Sequence, residues 1–113
     1  MKHTRRESER VELFDGDLNV EKLFDREAFS FDVAVGTLDG YHPPVVNNES
    51  DRAYYVLSGE GSIRVNDSWF DVSKSDLVEV PAGKAHALKG EMRYLIITSP
   101  PFDPANEEML DEG

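Results

Sequence analysis

Apolar and polar residues alternate with a period of two through much of this chain. Phe29, Phe31, Val33 and Val35 alternate with Ser30, Asp32, Ala34 and Gly36, the pattern of a strand with one buried face. Gly36 and Gly40 read as the flanks of a turn. Tyr54-Tyr55-Val56-Leu57 is a compact apolar run, closed by Ser58-Gly59-Glu60-Gly61. Ile63 and Val65 alternate with Ser62 and Arg64 up to a turn at Asn66-Asp67. Trp69 to Val72, Leu77 to Val80, Ala85 to Leu88 and Tyr94 to Thr98 supply further short segments, the last ending before Pro100-Pro101. Short strands at close spacing, with turn residues between them, predict an all-β sandwich or barrel. Trp69 and Phe70 are adjacent, so one of them is predicted to be exposed or in an interface. Helical signals are few. Asp103-Pro104 reads as an N-cap and first helical residue, with Glu107 and Glu108 near the positive end, predicting a short helix from Pro104 to Leu110. Val20 to Phe29 is open between strand, turn and a single helical turn.

Length and charge narrow the classes. At 113 residues the chain is one domain, read as an N-terminal arm over 1–15, a barrel over 16–104 and an acidic tail over 105–113. There are 23 acidic residues against 12 basic, a net charge of −11. Such a globule repels nucleic acid and anionic lipid, so neither is an expected partner. The arm runs the other way, with Lys2, Arg5, Arg6 and Arg10 against Glu7 and Glu9. It reads as solvated chain, or as a segment lying on acidic surface of its own or a second copy. Cysteine is absent, which rules out disulfides, thiolate catalysis and iron–sulfur clusters. No apolar run approaches the roughly 20 residues of a membrane helix. Residues 1–10 have no apolar segment of the secretory kind, so the expected location is the cytoplasm.

Two stretches carry a resemblance. Tyr55-Val56-Leu57-Ser58-Gly59-Glu60-Gly61 and Asp76-Leu77-Val78-Glu79-Val80-Pro81-Ala82-Gly83-Lys84-Ala85-His86 together resemble the two motifs of the cupin superfamily. The second is the more specific, because Pro81-x-Gly83-x-x-His86 follows a β-run at fixed spacing. The close, Thr98-Ser99-Pro100-Pro101-Phe102-Asp103-Pro104, is similar to that of small single-domain cupins. The resemblance implies a double-stranded β-helix, or jelly-roll barrel, with a short C-terminal helix or tail. It also implies a small-molecule site inside the barrel, often with a divalent metal, and a homodimer.

The departures from the family pattern carry the functional argument. The first motif ordinarily supplies a His-x-His pair and then a glutamate, with the turn glycine seven residues after that glutamate. Counting back from Gly59 puts Arg52 at the glutamate and Asn47 and Val45 at the histidines; only His86 remains. Valine has no donor atom and arginine no acceptor. The standard metal site is therefore expected to be lost, and no cofactor is expected. A rebuilt set of His86, His42 and Glu49 (or Asp51) is the alternative if the stretch from Gly40 to Asp51 bulges; it would supply two histidines and a carboxylate for a divalent metal.

The resemblance implies that Arg52 points into the barrel, and parity along its strand then selects Tyr54 and Val56 as inward neighbours. Its fork of N–H donors suits a carboxylate or phosphate; an internal salt bridge to Glu79 or Glu49 is the competing reading. The expected ligand site is His86, Arg52, Asn47 and Tyr54, holding a small polar or anionic metabolite, sugar-derived in the family's usual manner. Two other functions stay open. One is an enzyme, either a metal-dependent dioxygenase or sugar isomerase on the rebuilt site, or a metal-free isomerase or epimerase with His86 as base. The other is a barrel kept only for assembly.

Overall fold

The computed structural model describes residues 9–24 and 30–110. Eight strands account for most of them: β1 (Glu9–Leu13), β2 (Leu18–Phe24), β3 (Asp32–Asn47), β4 (Asp51–Val65), β5 (Ser68–Ser73), β6 (Leu77–Val80), β7 (His86–Ser99) and β8 (Glu107–Met109). They pair antiparallel in the order β1-β2-β3-β7-β4-β5, with β6 also on β4 and β8 also on β3. The result is the expected all-β jelly roll. No helix among the described residues is long and apolar enough to cross a membrane.

Three strands are much longer than the sequence pattern implies. The stretch Ser58 to Gly61 does not end a strand; β4 runs through it, with a register shift between Val56 and Ser58 on β7. Likewise β3 passes through Gly36 and Gly40, and β7 joins the Ala87-Leu88 segment to Tyr94–Thr98 across Gly90. These glycines bend strands instead of ending them. Gly40 pairs with Gly90, and Gly90 with Gly61, so three neighbouring strands are creased along one row. At Gly90 φ is +125°, and a Cβ there would lie 2.6 Å from the Gly61 Cα. The crease lets each long strand serve two walls of the barrel.

Inside lies one apolar cluster that includes Leu38, Tyr54, Val56, Ile63, Leu88 and Tyr94. Arg52, Tyr54 and Val56 alternate inward along β4, as their parity predicts. Trp69 and Phe70 are both exposed, and Val72 is the buried member of β5. Val20 lies in β2, which settles the open segment as strand up to Phe24; 25–29 fall outside the described residues. Part of the arm is β1, paired with β2, while 1–8 are outside the described residues.

The C-terminal helix is not formed. Asp103 does cap a turn, its carboxylate accepting from the Ala105 N–H at 3.0 Å, but Pro104–Asn106 is one turn of 3-10 helix. The chain then extends as β8 and pairs with Val45, Val46 and Asn47. An exposed edge of β3 offers those backbone groups cross-strand partners, and a single isolated helical turn offers little in return.

The crease gives a stability test. A Cβ at Gly83 (φ +85°) would have only Asn48 Oδ1 nearby, at 3.7 Å, whereas one at Gly90 meets backbone. Gly83→Ala should cost about 1 kcal/mol from its backbone conformation alone, and Gly90→Ala about 3 kcal/mol or the fold itself. Urea unfolding of both variants measures the difference; equal losses would mean that the row does not bend the barrel.

Candidate functional site

The barrel encloses a cavity of about 490 Å³ with largely apolar walls. Leu18, Val20, Val33, Tyr94 and Ile96 form much of the lining, and Phe102 and Met109 come from the C-terminal segment. The polar side chains on it include His42, Arg52, Tyr54, Thr98 and Glu107, with Lys22 and Asp32 also on the wall. Apolar walls with a few converging polar groups are the usual make-up of a small-ligand pocket.

Arg52 stands near the start of β4 and His86 at the start of β7, on facing walls. They meet inside: Arg52 Nη1 is 3.3 Å from His86 Nε2. The Tyr54 hydroxyl is 2.8 Å from the same nitrogen and 3.5 Å from Arg52 Nη1. Since a guanidinium only donates, Nε2 must accept, which places the His86 proton on Nδ1 and directs the Tyr54 O–H at Nε2. Glu107 closes the group. Its carboxylate takes both arms of the Arg52 fork, at 3.1 Å from Nη1 to Oε1 and 2.9 Å from Nη2 to Oε2. The two side chains are 7% and 16% exposed, so this is a buried bidentate ion pair. Phe102 lies under the guanidinium, its ring centre 5.6 Å from Cζ.

The second imidazole comes from a bulge. On β7, His42 faces Leu88 and Val45 faces His86, so β3 carries an extra residue at Pro43-Pro44. The bulge turns both His42 and Val45 inward. His42 Nδ1 lies 2.7 Å from the Pro43 carbonyl oxygen, which can only accept, so Nδ1 carries the proton and donates. Nε2 keeps its lone pair, and His42 lines the cavity.

Electrostatics keep both rings neutral. Burial lowers the His86 pKa to about 3, reinforced by the Arg52 charge and by His42, with the Lys84 backbone acting weakly against them. Burial also lowers His42; its backbone hydrogen bond to Pro43 works the other way. Burial opposes the charge on Arg52, but Tyr54 and the hydrogen-bonded Glu107 outweigh it and hold the guanidinium firmly protonated. Burial raises Tyr54, against the pull of Arg52, and raises Tyr94 as well.

Of the residues expected at the site, Arg52 and Tyr54 line the cavity. His86 touches both, yet it is 1% exposed and stands behind them, outside the lining. Asn47 is buried but faces the next turn: its Oδ1 accepts from the N–H groups of Glu49 at 3.0 Å and Ser50 at 2.9 Å. Glu49 is exposed. The bulge thus brings His42 to His86, ring centres 5.9 Å apart, without bringing a carboxylate from the same stretch. Asp51 instead accepts from the Ala82 N–H at 2.9 Å.

Neither Glu79 nor Glu49 pairs with Arg52; Glu107 does. The residue pattern placed Glu107 on a helix and gave it no part in the site. The available signal was physical: an inward arginine requires a counter-charge.

A divalent cation does not fit this donor set. Val45 has no donor atom, the Asn47 oxygen is engaged, and a permanent cation sits 3.3 Å from the His86 nitrogen that would ligate. Among the described residues, no three His, Asp or Glu side chains gather as metal ligands.

Comparison with known proteins agrees with the fold. Pac13 from Streptomyces, described as a unique nucleoside dehydratase, superposes with a TM-score of 0.89 at 23% identity, covering 97% of this chain and 90% of that one. A variant of it has been solved with uridine. KdgF from Halomonas superposes at a TM-score of 0.78 with 14% identity, covering 91% of this chain and 96% of that one. At these identities the likeness is one of fold.

In sequence, SCO3923 of Streptomyces coelicolor is 35% identical over 69 residues, 58% of this chain. MJ1618 of Methanocaldococcus jannaschii is 26% identical over 66 residues, 55% of this chain. The matches span 62% and 53% of those proteins' own lengths. The cupin-domain family model matches residues 31–98, the stretch that holds the crease, the bulge, Arg52 and His86; the chain belongs to the cupin family.

Proposed function

We propose that this cupin binds a small, polar, sugar-derived metabolite in its barrel without a metal ion. The observation that carries the reading is Arg52, whose guanidinium and Glu107 partner stand where the family holds a cation, beneath an apolar cavity of about 490 Å³. A ligand there meets His42 Nε2, the Tyr54 ring and hydroxyl region and Thr98 as polar contacts, and apolar walls for the face of a ring.

A second reading builds on the first. His42, fixed by its hydrogen bond to Pro43 and kept neutral by burial, has the form of a general base. His86 is too deeply placed for that task, but it holds the Tyr54 hydroxyl by accepting a hydrogen bond from it. His42 Nε2 can take a proton from a carbon beside a hydroxyl-bearing carbon and return it to the hydroxyl as the C–O bond breaks, so that a C=C bond forms and water leaves. The Streptomyces neighbour's description as a nucleoside dehydratase points the same way.

Elemental analysis of tag-free protein, before and after dialysis against iron, manganese, nickel and zinc, tests the metal-free reading. Metal should stay far below one equivalent, and Tm should not rise with any of the four. Near-stoichiometric metal that disappears in His86→Ala would overturn it. A thermal-shift screen with uridine, free sugars and sugar acids then tests the ligand class.

For the second reading, His42→Gln should leave ligand affinity within a few-fold and lower turnover by about 100-fold or more. Because the His42 pKa is lowered from 6.5, the acid limb of kcat/KM should fall below pH 6.5. An unchanged kcat in the variant would sink the assignment.

His86 also makes the fold acid-sensitive. Unfolded, it would titrate near its ordinary 6.5; folded, it titrates at about 3. The unfolded chain therefore takes up the proton first, and this contribution to stability is complete above about pH 6.5 and declines as pH falls toward 3. His86→Gln should flatten the fall of Tm over that window, beyond what the carboxylates contribute. Parallel curves for the two proteins would contradict the buried neutral imidazole.

A further inference from the structure

We propose that Glu107 is a charge filter: by filling the fork of Arg52 it makes the cavity refuse anions and accept uncharged, hydroxyl-bearing ligands of the nucleoside or free-sugar type. The inference rests on the reading that the cavity is the ligand site, and it narrows the ligand class there.

An inward arginine in an apolar cavity is by itself an anion trap. Its planar fork suits a carboxylate or phosphate, and low polarity around it strengthens the attraction. Here the protein supplies its own carboxylate in that position. Glu107 takes one N–H from each terminal nitrogen, at 3.1 and 2.9 Å, Nη1 also meets His86 and Tyr54, and Nε is buried, so the paired face that an anion would grip is already filled.

The filter is mounted on structure and not on a loose tail. Glu107 belongs to β8, which is laddered to β3 by Val45–Met109, Val46–Glu108 and Asn47–Glu107. The Leu110 N–H donates to the Pro44 carbonyl at 3.0 Å, and the Phe102 N–H donates to Asp32 Oδ2 at 2.8 Å on the approach to β8.

Beyond the Arg52–Glu107 pair, the lining carries one cation and one carboxylate and so has no net positive charge to draw an anion. His42 is a neutral ring, and the wall residues Lys22 and Asp32 have opposite charges. An anion would have to push Glu107 off Arg52 and leave a half-buried carboxylate unpaired, which is costly. A neutral polyol has no such conflict. It can hydrogen-bond to His42 Nε2 or Thr98 and leave the ion pair intact. Glu107→Gln keeps the shape of the side chain and removes its charge, so the guanidinium becomes the free cation of the site.

The test uses uridine, uridine 5′-monophosphate and inorganic phosphate as probes, read by calorimetry and by Tm. Wild type should prefer uridine to the monophosphate by about tenfold or more, and phosphate should not shift its Tm. Glu107→Gln should reverse that preference, and phosphate should raise its Tm by about 3 °C or more through binding to the folded state. Glu107→Asp, which keeps the charge, should not respond to phosphate. If Glu107→Gln is poorly folded, phosphate should restore its cooperative melting, since binding to the native state shifts the folding equilibrium.

Equal wild-type affinity for uridine and the monophosphate would overturn the proposal, as would a Glu107→Gln protein indifferent to phosphate. If uridine binds no variant while phosphate stabilises Glu107→Gln alone, the filter stands and the nucleoside class falls.

Discussion

The Arg52–Glu107 ion pair organises this barrel. An arginine whose side chain is 7% exposed cannot shed its proton and cannot be left alone. Its position therefore dictates much else: a carboxylate delivered from 55 residues further along the chain, a C-terminal strand to carry it, and an imidazole and a phenol arranged to accept at Nη1. The neutral state of His86 follows as well, because protonation would place a second cation 3.3 Å from the first.

How much of this was legible in the sequence depended on the range of the interaction. The family pattern pointed Arg52 inward, and the two-residue period then placed Tyr54 and Val56 on the same face. The motif around Pro81, Gly83 and His86 placed His86 at the start of a strand, where β7 begins. What escaped was long-range pairing. Ser58 to Gly61 and Gly90 look like strand ends because glycine usually marks turns, and only cross-strand neighbours show that they crease continuous strands. Asp103-Pro104 correctly signalled a cap, yet the choice between helix and strand after it was made by the free edge of β3, a partner some 60 residues away in the chain.

The candidate site shows the same division. The departure from the family's ligand types could be read by counting from Gly59, since it concerned residue types at positions. The partner of Arg52 could not, because Glu49, Glu79 and Glu107 are chemically equal and only the fold chooses among them. His42 was named for its chemistry, on the condition of a bulge; Pro43 and Pro44 supply it by interrupting the ladder between His42 and Val45. Asn47 went the other way, its amide drawn into a turn that the sequence alone did not reveal.

The ion pair also bears on how such a barrel can change over evolutionary time. Restoring a metal centre would require a glutamate at position 52, and that single step would set two carboxylates face to face in a poorly hydrated interior. Replacing Glu107 first would strand the guanidinium. Val45 and Asn47 would still need to become histidines, the latter by giving up its hold on the following turn. Changing either member of the pair alone leaves a buried charge without its partner, so the pair resists piecemeal change toward the family's usual ligand set.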